Sequence, residues 1–293
     1  MRLQGDGLRL RTGPVVTNIR SPLLAVQEGI ALHYAMHGVE ADDGFADFHV
    51  AVERPRGARR WRRPEAAFRF DGAAGVSPRP GDTGFATLEW GLDWCVSIHS
   101  NQYLIVRAAV LERGGRALLM PAPSGAGKST LCAGLVFAGG WRLLSDELAL
   151  IDPATGRVYP LPRPLALKNA SIGAARQIAP AAHFGIEVAA PVIGRMLHVR
   201  PPADSVLRAA ETALPAWVIA PNYEAGATAR LEPLPKAQAF TRLVDNAFNY
   251  KLHGRRGFVG LADLVDACIC RQIFYCDLPE AINLLEGLST TET

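Results

Sequence analysis

The run Ala122-Pro123-Ser124-Gly125-Ala126-Gly127-Lys128-Ser129-Thr130 gathers two glycines, a lysine and two adjacent hydroxyls. Glycine lets a backbone curl tightly, so that successive N–H groups point inward and cradle phosphate oxygens. Lys128 adds a mobile charge for the β- and γ-phosphates, and Ser129 offers a hydroxyl to Mg²⁺. A helix starting behind the loop adds about half an elementary charge at its positive end. The expected nucleotide contacts are Ser124, Gly125, Ala126, Gly127, Lys128, Ser129 and Thr130. Ala122 stands where such loops usually begin with glycine, and alanine is tolerable there if φ is negative.

Asp146 and Glu147 follow this loop closely, and three readings of them stay open. They are solvated residues at a strand end. Or Asp152, after apolar Leu148–Ile151, is the metal-binding acid, although Asp152-Pro-Ala-Thr-Gly156 carries strong turn chemistry. Or Asp146 is a general base and Glu147 helps hold Mg²⁺. A hydroxyl acceptor loses its proton as the new phosphate bond forms, and a carboxylate can take it. Adjacent side chains on a strand point opposite ways, so neighbouring acids could divide these tasks.

These residues need elements to position them. Alternation and β-branched or aromatic content predict strands at 7–12, 48–55 and 67–72. A Gly/Pro loop at 71–84 precedes helical spacing over 85–100. A hairpin then runs from 103–112 through Arg113–Arg116 to 117–122, and the loop opens a helix from about 129 to 138, ended by Gly139-Gly140. Strands at 141–146 and 148–152 turn at Asp152–Gly156 and return at 157–161. The tail alternates: strand 216–221, helices 235–248 and 257–269, strand 271–276, helix 278–288. The expected class is α/β, with a β-rich region at 1–100 and a phosphate-loop domain at 101–293.

Bulk composition narrows the field only modestly. A chain of 293 residues with 49% apolar residues and 20% charged residues buries a real core, and a net charge of +3 gives no indication of nucleic acid. The five cysteines fit no zinc spacing, and Cys268-Ile-Cys270 lies in an apolar run. No signal peptide is evident, and no apolar run nears the roughly 18–20 residues that span a bilayer. The expected setting is the cytoplasm, with no transmembrane segment.

Several other residues compete for roles. Arg163, Lys168 and Asn169 sit where the chain could return to the mouth of the site, with Lys168 as a second phosphate contact or a surface lysine. His198 and Arg200 alternate like a strand with one polar face, where a satisfied surface histidine is the ordinary case. Asn246, Asn249 and Tyr250 end a helix, and capping explains them as well as binding does. Six arginines between 54 and 63, with Trp61, form a solvated hairpin tip or a surface for an anionic partner.

Taken together, Gly125-x-Gly127-Lys128-Ser129, the short helix and Arg142-Leu-Leu-Ser-Asp146-Glu147 resemble the HPr kinase/phosphorylase family, and within it the HprK-related kinase A subgroup. Supporting stretches are Leu88–Trp94, Ala108–Arg113, Arg163–Asn169 and Asn246–Tyr250. The subgroup likeness spans most of the chain, and the HPr kinase likeness is strong over about 103–170. The resemblance implies a P-loop core related to phosphoenolpyruvate carboxykinase and an ATP- and Mg²⁺-dependent kinase. Lys128 and Asp146 would be catalytic, Ser129 and Glu147 would hold the metal, and a homo-oligomer is implied. The acceptor would be a hydroxyl on a protein, a peptide or a small, saccharide-related molecule. Two departures stand out. Glu147 replaces a second aspartate, and Arg107 aligns with a histidine, so that a positive charge beside Asp146 is expected to weaken it as a base. The alternative from another class is a nucleotide-sensing module that transfers nothing. A Leu-Ser-Gly-Gly-Gln loop and an Asn-Lys-x-Asp motif are both lacking, which favours ATP over GTP and disfavours a transport ATPase.

Overall fold

A computed structural model describes residues 2–41, 44–55, 65–123, 125–190 and 193–288. Ser124 and residues 56–63 of the arginine run lie outside the described residues. The chain is mixed α/β. Its first part winds β1 (Leu8–Thr12), β2 (Val15–Arg20), α1 (Leu24–His33), β3 (Phe48–Glu53), β4 (Glu65–Phe70), β5 (Ala73–Ala74), β6 (Arg79–Pro80) and α2 (Gly84–His99). β1 to β4 lie side by side in order, antiparallel except for the parallel β2–β3 pair. β2 and α1 are additions to the expected elements. β2 is almost wholly buried, so it carries no alternating pattern to read.

The second part starts with the hairpin β7 (Leu104–Arg113) and β8 (Arg116–Pro121), followed by α3 (Lys128–Phe137), β9 (Arg142–Ser145), β10 (Leu148–Ile151) and β11 (Val158–Tyr159). Next come β12 (Leu165–Lys168), α4 (Ala170–Ile178), β13 (Val188–Ala190), β14 (Gly194–Val199) and α5 (Ala203–Leu207). The tail is β15 (Leu214–Tyr223), β16 (Arg230–Pro233), α6 (Lys236–Asp245), α7 (Tyr250–Ala267), β17 (Ile269–Tyr275) and α8 (Leu278–Glu286). The main sheet runs β11-β10-β7-β8-β15-β17-β16, with β9 also on β7. β8, β15 and β17 are parallel, and the pairings around β7 and β16 are antiparallel, so the sheet is mixed. Helices cover both faces: α3 and α8 share one apolar cluster with the sheet, and α6 and α7 share the other.

β7 organises the molecule. Leu104, Val106, Ala108 and Val110 point into the α6–α7 core. On its opposite face Ile105 enters the core of the first part, while Ala109 and Leu111 enter the α3 core. Arg107 is the odd member of that second face, and it stands between the two cores. Ile105, Leu148, Leu150 and Leu161 pack with Val50, Phe68 and Leu92, so the region before residue 100 and the region after it share one apolar cluster.

The turn end of the hairpin is held by buried charge. Glu112 accepts from the Arg142 guanidinium, which also donates to the carbonyls of Arg208 at 2.8 Å and Glu211 at 3.0 Å. Burial alone would raise the Glu112 pKa, but hydrogen bonds from Arg142 and the Gly115 N–H prevail and hold it below its ordinary 4.5. The unfolded chain therefore binds this proton more readily, so the stabilisation is present above pH 4.5 and fades as pH falls through the lower folded value. Glu112→Ala strands the Arg142 charge and should cost about 3–5 kcal/mol in urea denaturation near neutral pH. The gap between variant and native protein should narrow in acid.

Candidate functional site

The phosphate-loop run occupies the bend between β8 and α3. Gly125 and Gly127 adopt φ of 92° and 89°, the left-handed region that glycine supplies without strain. Among described residues only Asp71 and Asn169 are non-glycine with positive φ, so Ala122 meets no conformational penalty for replacing glycine. Gly127 is also cramped. A Cβ there would strike Tyr275 Oη, and that hydroxyl donates to the Gly127 carbonyl at 2.9 Å. Lys128 opens α3, and Leu131, Cys132 and Leu135 anchor the helix in the core.

Sheet order brings the acids to the loop. β8 and β9 are parallel to each other, with β7 between them. The intervening α3 makes this a β-α-β crossover that skips one strand. Pro121 pairs with Ala108, and the Ala108 N–H donates to the Glu147 carbonyl at 3.1 Å. Strands spaced 4.7–4.9 Å apart put the acids about 9–10 Å from the end of β8, a gap that a lysine in the first turn of α3 can bridge.

Opposite orientation of the two acids, expected from strand geometry, is not what the structure has. Lys128 Nζ lies 3.4 Å from Asp146 Oδ1 and 3.6 Å from Glu147 Oε2, and it also donates to the Asp146 carbonyl. The register on β7 slips between Val110 and Leu111, which places a bulge in the partner strand just before the pair. Parity changes across it. Leu143 faces the α3 core and Leu144 the opposite one, whereas beyond the pair Leu148 and Leu150 face the first side and Ala149 and Ile151 the other. Asp146 and Glu147 themselves lie in the bend between β9 and β10, outside the regular strands, so strict alternation does not bind them and both carboxylates reach Lys128.

Asp146 and Lys128 are both buried, at 5% and 7% exposure. Asp146 Oδ2 accepts from the Ala166 N–H at 3.2 Å. Burial pushes the Lys128 pKa down, but Asp146 and Glu147 outweigh it, and the net direction is upward. For Glu147 burial acts upward, while Lys128, Arg107 and Lys168 bring the pKa below its ordinary value. Arg107 Nε stands 3.6 Å from Glu147 Oε2. The arginine expected to act on Asp146 is therefore paired with the glutamate.

Two cavities meet at Glu147. One, of about 710 Å³, is lined by Gly125, Gly127, Lys128, Ser129, Thr130 and Glu147. The start of α4, with Ala170, Ser171 and the neighbouring Lys168, forms another wall, so two helix N-termini and two lysines edge this cavity. The other, of about 460 Å³, is lined by Asp146, Glu147, Arg163 and part of α2. Arg107, Glu147, Ala166, Lys168 and Ile193 border both. Ser129 and Glu147 face the same cavity as the loop. This suits Mg²⁺, which takes one or two protein oxygens and completes its shell with phosphates and water. Among described residues no group of three or more His, Cys, Asp or Glu side chains is placed to hold a metal ion by itself.

Other candidates resolve individually. Asp152 binds its own turn: Oδ1 accepts from Ala154 N and Oδ2 from Thr155 Oγ1, both at 2.8 Å. Asn169 directs its side chain to Arg195 N and Ile193 O. Asn249 accepts from Ile105 N at 2.9 Å and donates to Tyr103 O at 2.8 Å, bracing β7. His198 is buried, not a surface histidine, and burial lowers its pKa to about 3. Arg200 donates to the Leu32 carbonyl, away from the loop. Cys268 and Cys270 are buried thiols in the α6–α7 core.

The residues that site reasoning passed over are Glu89, Trp90, Asp93 and Trp94, all on α2. The signal was available as helical spacing, with acids at 89 and 93 and indoles at 90 and 94, four residues apart in each case. No family model matches the chain, and no curated protein matches it. Among described residues no helix is long and apolar enough to cross a membrane. Lys128→Met removes the cation shared by the two acids. Glu147 should then titrate at higher pH than in the native protein, as read from side-chain carboxyl ¹³C shifts.

Proposed function

We propose that this chain is an ATP- and Mg²⁺-dependent kinase with a core of HPr kinase type, transferring a γ-phosphoryl group to a hydroxyl. One observation carries the reading: Lys128, in the wall of the loop cavity, lies between Glu147, which lines both cavities, and Asp146, which lines the second. In this reading the loop amides and Lys128 hold the phosphates, and the two helix N-termini favour the same anionic groups. Ser129 and Glu147 would hold Mg²⁺, which supplies neutralisation of phosphate charge when bound.

Asp146 serves as the base. Its carboxylate has lone pairs beyond those directed to Ala166 and Lys128, and it lines the cavity on the far side of Glu147 from the loop. A hydroxyl there would pass its proton to Asp146 as the new bond forms. Lys128 has a second anchor in the Asp146 carbonyl, which holds the loop helix and the base in fixed relation.

Lys128→Ala should lower phosphotransfer by about a hundred- to a thousandfold, the usual effect of losing one preorganised charge-stabilising group. Wild-type turnover in that variant would overturn the assignment. Asp146→Asn should lower kcat by roughly a hundredfold or more, with the dissociation constant for a fluorescent ATP analogue close to the native value.

A second reading is a nucleotide-dependent binding module without transfer. The Arg107–Glu147 pair favours it, since a salt-bridged glutamate is a poorer metal ligand. Mass spectrometry of acceptors incubated with ATP separates the two, because a module binds nucleotide and leaves every acceptor unmodified.

A further inference from the structure

The cavity of about 460 Å³ lies across Glu147 from the phosphate loop, and much of its wall comes from α2 in the first part of the chain. Glu89, Asp93 and Ser97 lie along one line of that helix, with Trp90 and Trp94 beside it. Nothing in the phosphate chemistry requires this wall. Its size falls within the range of small-molecule sites, roughly 300–1,000 Å³, and suits one or two rings.

The charges facing it are already matched. Arg163, buried at 8% exposure, pairs with Asp93 and lies near Glu89, and Arg107 pairs with Glu147. The third lining cation, Lys168, also lies beside Glu147. Against these three cations stand the carboxyls of Glu89, Asp93, Asp146 and Glu147, so no surplus positive charge remains for an anionic ligand. Glu89 is further held by the Tyr34 hydroxyl, which donates to Oε1 at 2.7 Å and fixes the wall to α1. What remains available is a set of hydrogen-bonding carboxyl and hydroxyl groups beside flat apolar indoles, which suits hydroxyls and C–H faces together.

Resting on the kinase reading above, we infer that the acceptor is a neutral cyclic polyol bound in this cavity between the α2 wall and Asp146. In the reaction the bond from the γ-phosphorus of a nucleoside triphosphate to its bridging oxygen breaks, and a bond to one polyol oxygen forms. The hydroxyl proton passes to Asp146, and the products are the nucleoside diphosphate and a polyol phosphate monoester. A hydroxyl on a folded protein or an extended peptide is the competing acceptor. Trp90, Asp93 and Arg163 have no evident part in binding one through a single serine side chain.

The test supplies the full chain with Mg²⁺ and γ-labelled ATP, and either a panel of hexoses, pentoses and inositols or a mixture of serine and threonine peptides. Binding of a fluorescent ATP analogue is measured in parallel. Label should enter a polyol. Trp90→Ala and the nearly isosteric Asp93→Asn should each lower kcat/KM for that polyol by roughly tenfold or more, with circular dichroism reporting the fold of each variant. Label in the peptides overturns the inference. So does label in no acceptor while the analogue binds, or polyol transfer that a folded Asp93→Asn variant leaves undiminished. Failure of the native chain to bind the analogue is a different result, and it overturns the kinase reading itself.

Discussion

A buried lysine held between two acids is the constraint around which the rest is arranged. Taking a charge out of water is expensive unless it is paired and hydrogen-bonded. Lys128 is satisfied by the Asp146 carbonyl and by both carboxylates, and Asp146 by the Ala166 amide as well. The parts of this cluster come from the loop helix α3, the bend between β9 and β10, and β12. Moving any of these elements would leave a buried charge unmatched, so the cluster specifies how they fit together.

The bend at Asp146-Glu147 is where backbone geometry becomes site chemistry. An unbroken strand would send Asp146 and Glu147 to opposite faces of the sheet, one toward the loop and one into the apolar core of α6 and α7. The bend between β9 and β10, where the pair leaves regular strand geometry, brings both to the polar gap between two apolar clusters. Arg107 occupies the same gap because it shares a face of β7 with Ile105 and Ala109, which enter the clusters on either side. The site is thus a polar interval along an otherwise apolar sheet face. The apolar packing around it keeps the charges in a low-dielectric setting where they act strongly on one another.

The first part of the chain is more than an appendage to the part that carries the glycine-rich loop. Its core continues into β7 and β10, and α2 forms a wall of the second cavity. Burial raises the Glu89 pKa to about 7 and the Asp93 pKa to about 6, with Arg163 opposing both shifts. Carboxyls with such values near neutral pH lie across the same cavity from Asp146. Perturbed carboxyls of this kind gather both at working sites and in structural ion-pair networks, and the Asp93–Arg163 pair belongs to such a network.

Much of this was legible from local chemistry. The loop, its helix, the hairpin before it and the turn at Asp152 follow from glycine, proline and short-range hydrogen bonding, which act within a few residues. Asn249 was legible only in part: its place at a helix end was plain, but its bond to Ile105 across the molecule was not. By itself the sequence determined that a Gly-x-Gly-Lys-Ser-Thr loop precedes an acidic pair, and that both sit among strands and helices of an α/β chain. Tertiary structure decided which way the acids point, that Arg107 meets Glu147 instead of Asp146, that His198 is buried, and that α2 faces the acids. Those outcomes depend on register between distant strands and on which helix covers which face. A one-residue slip reverses a side chain's direction without changing any local preference, so no stretch of residues read alone contains the answer.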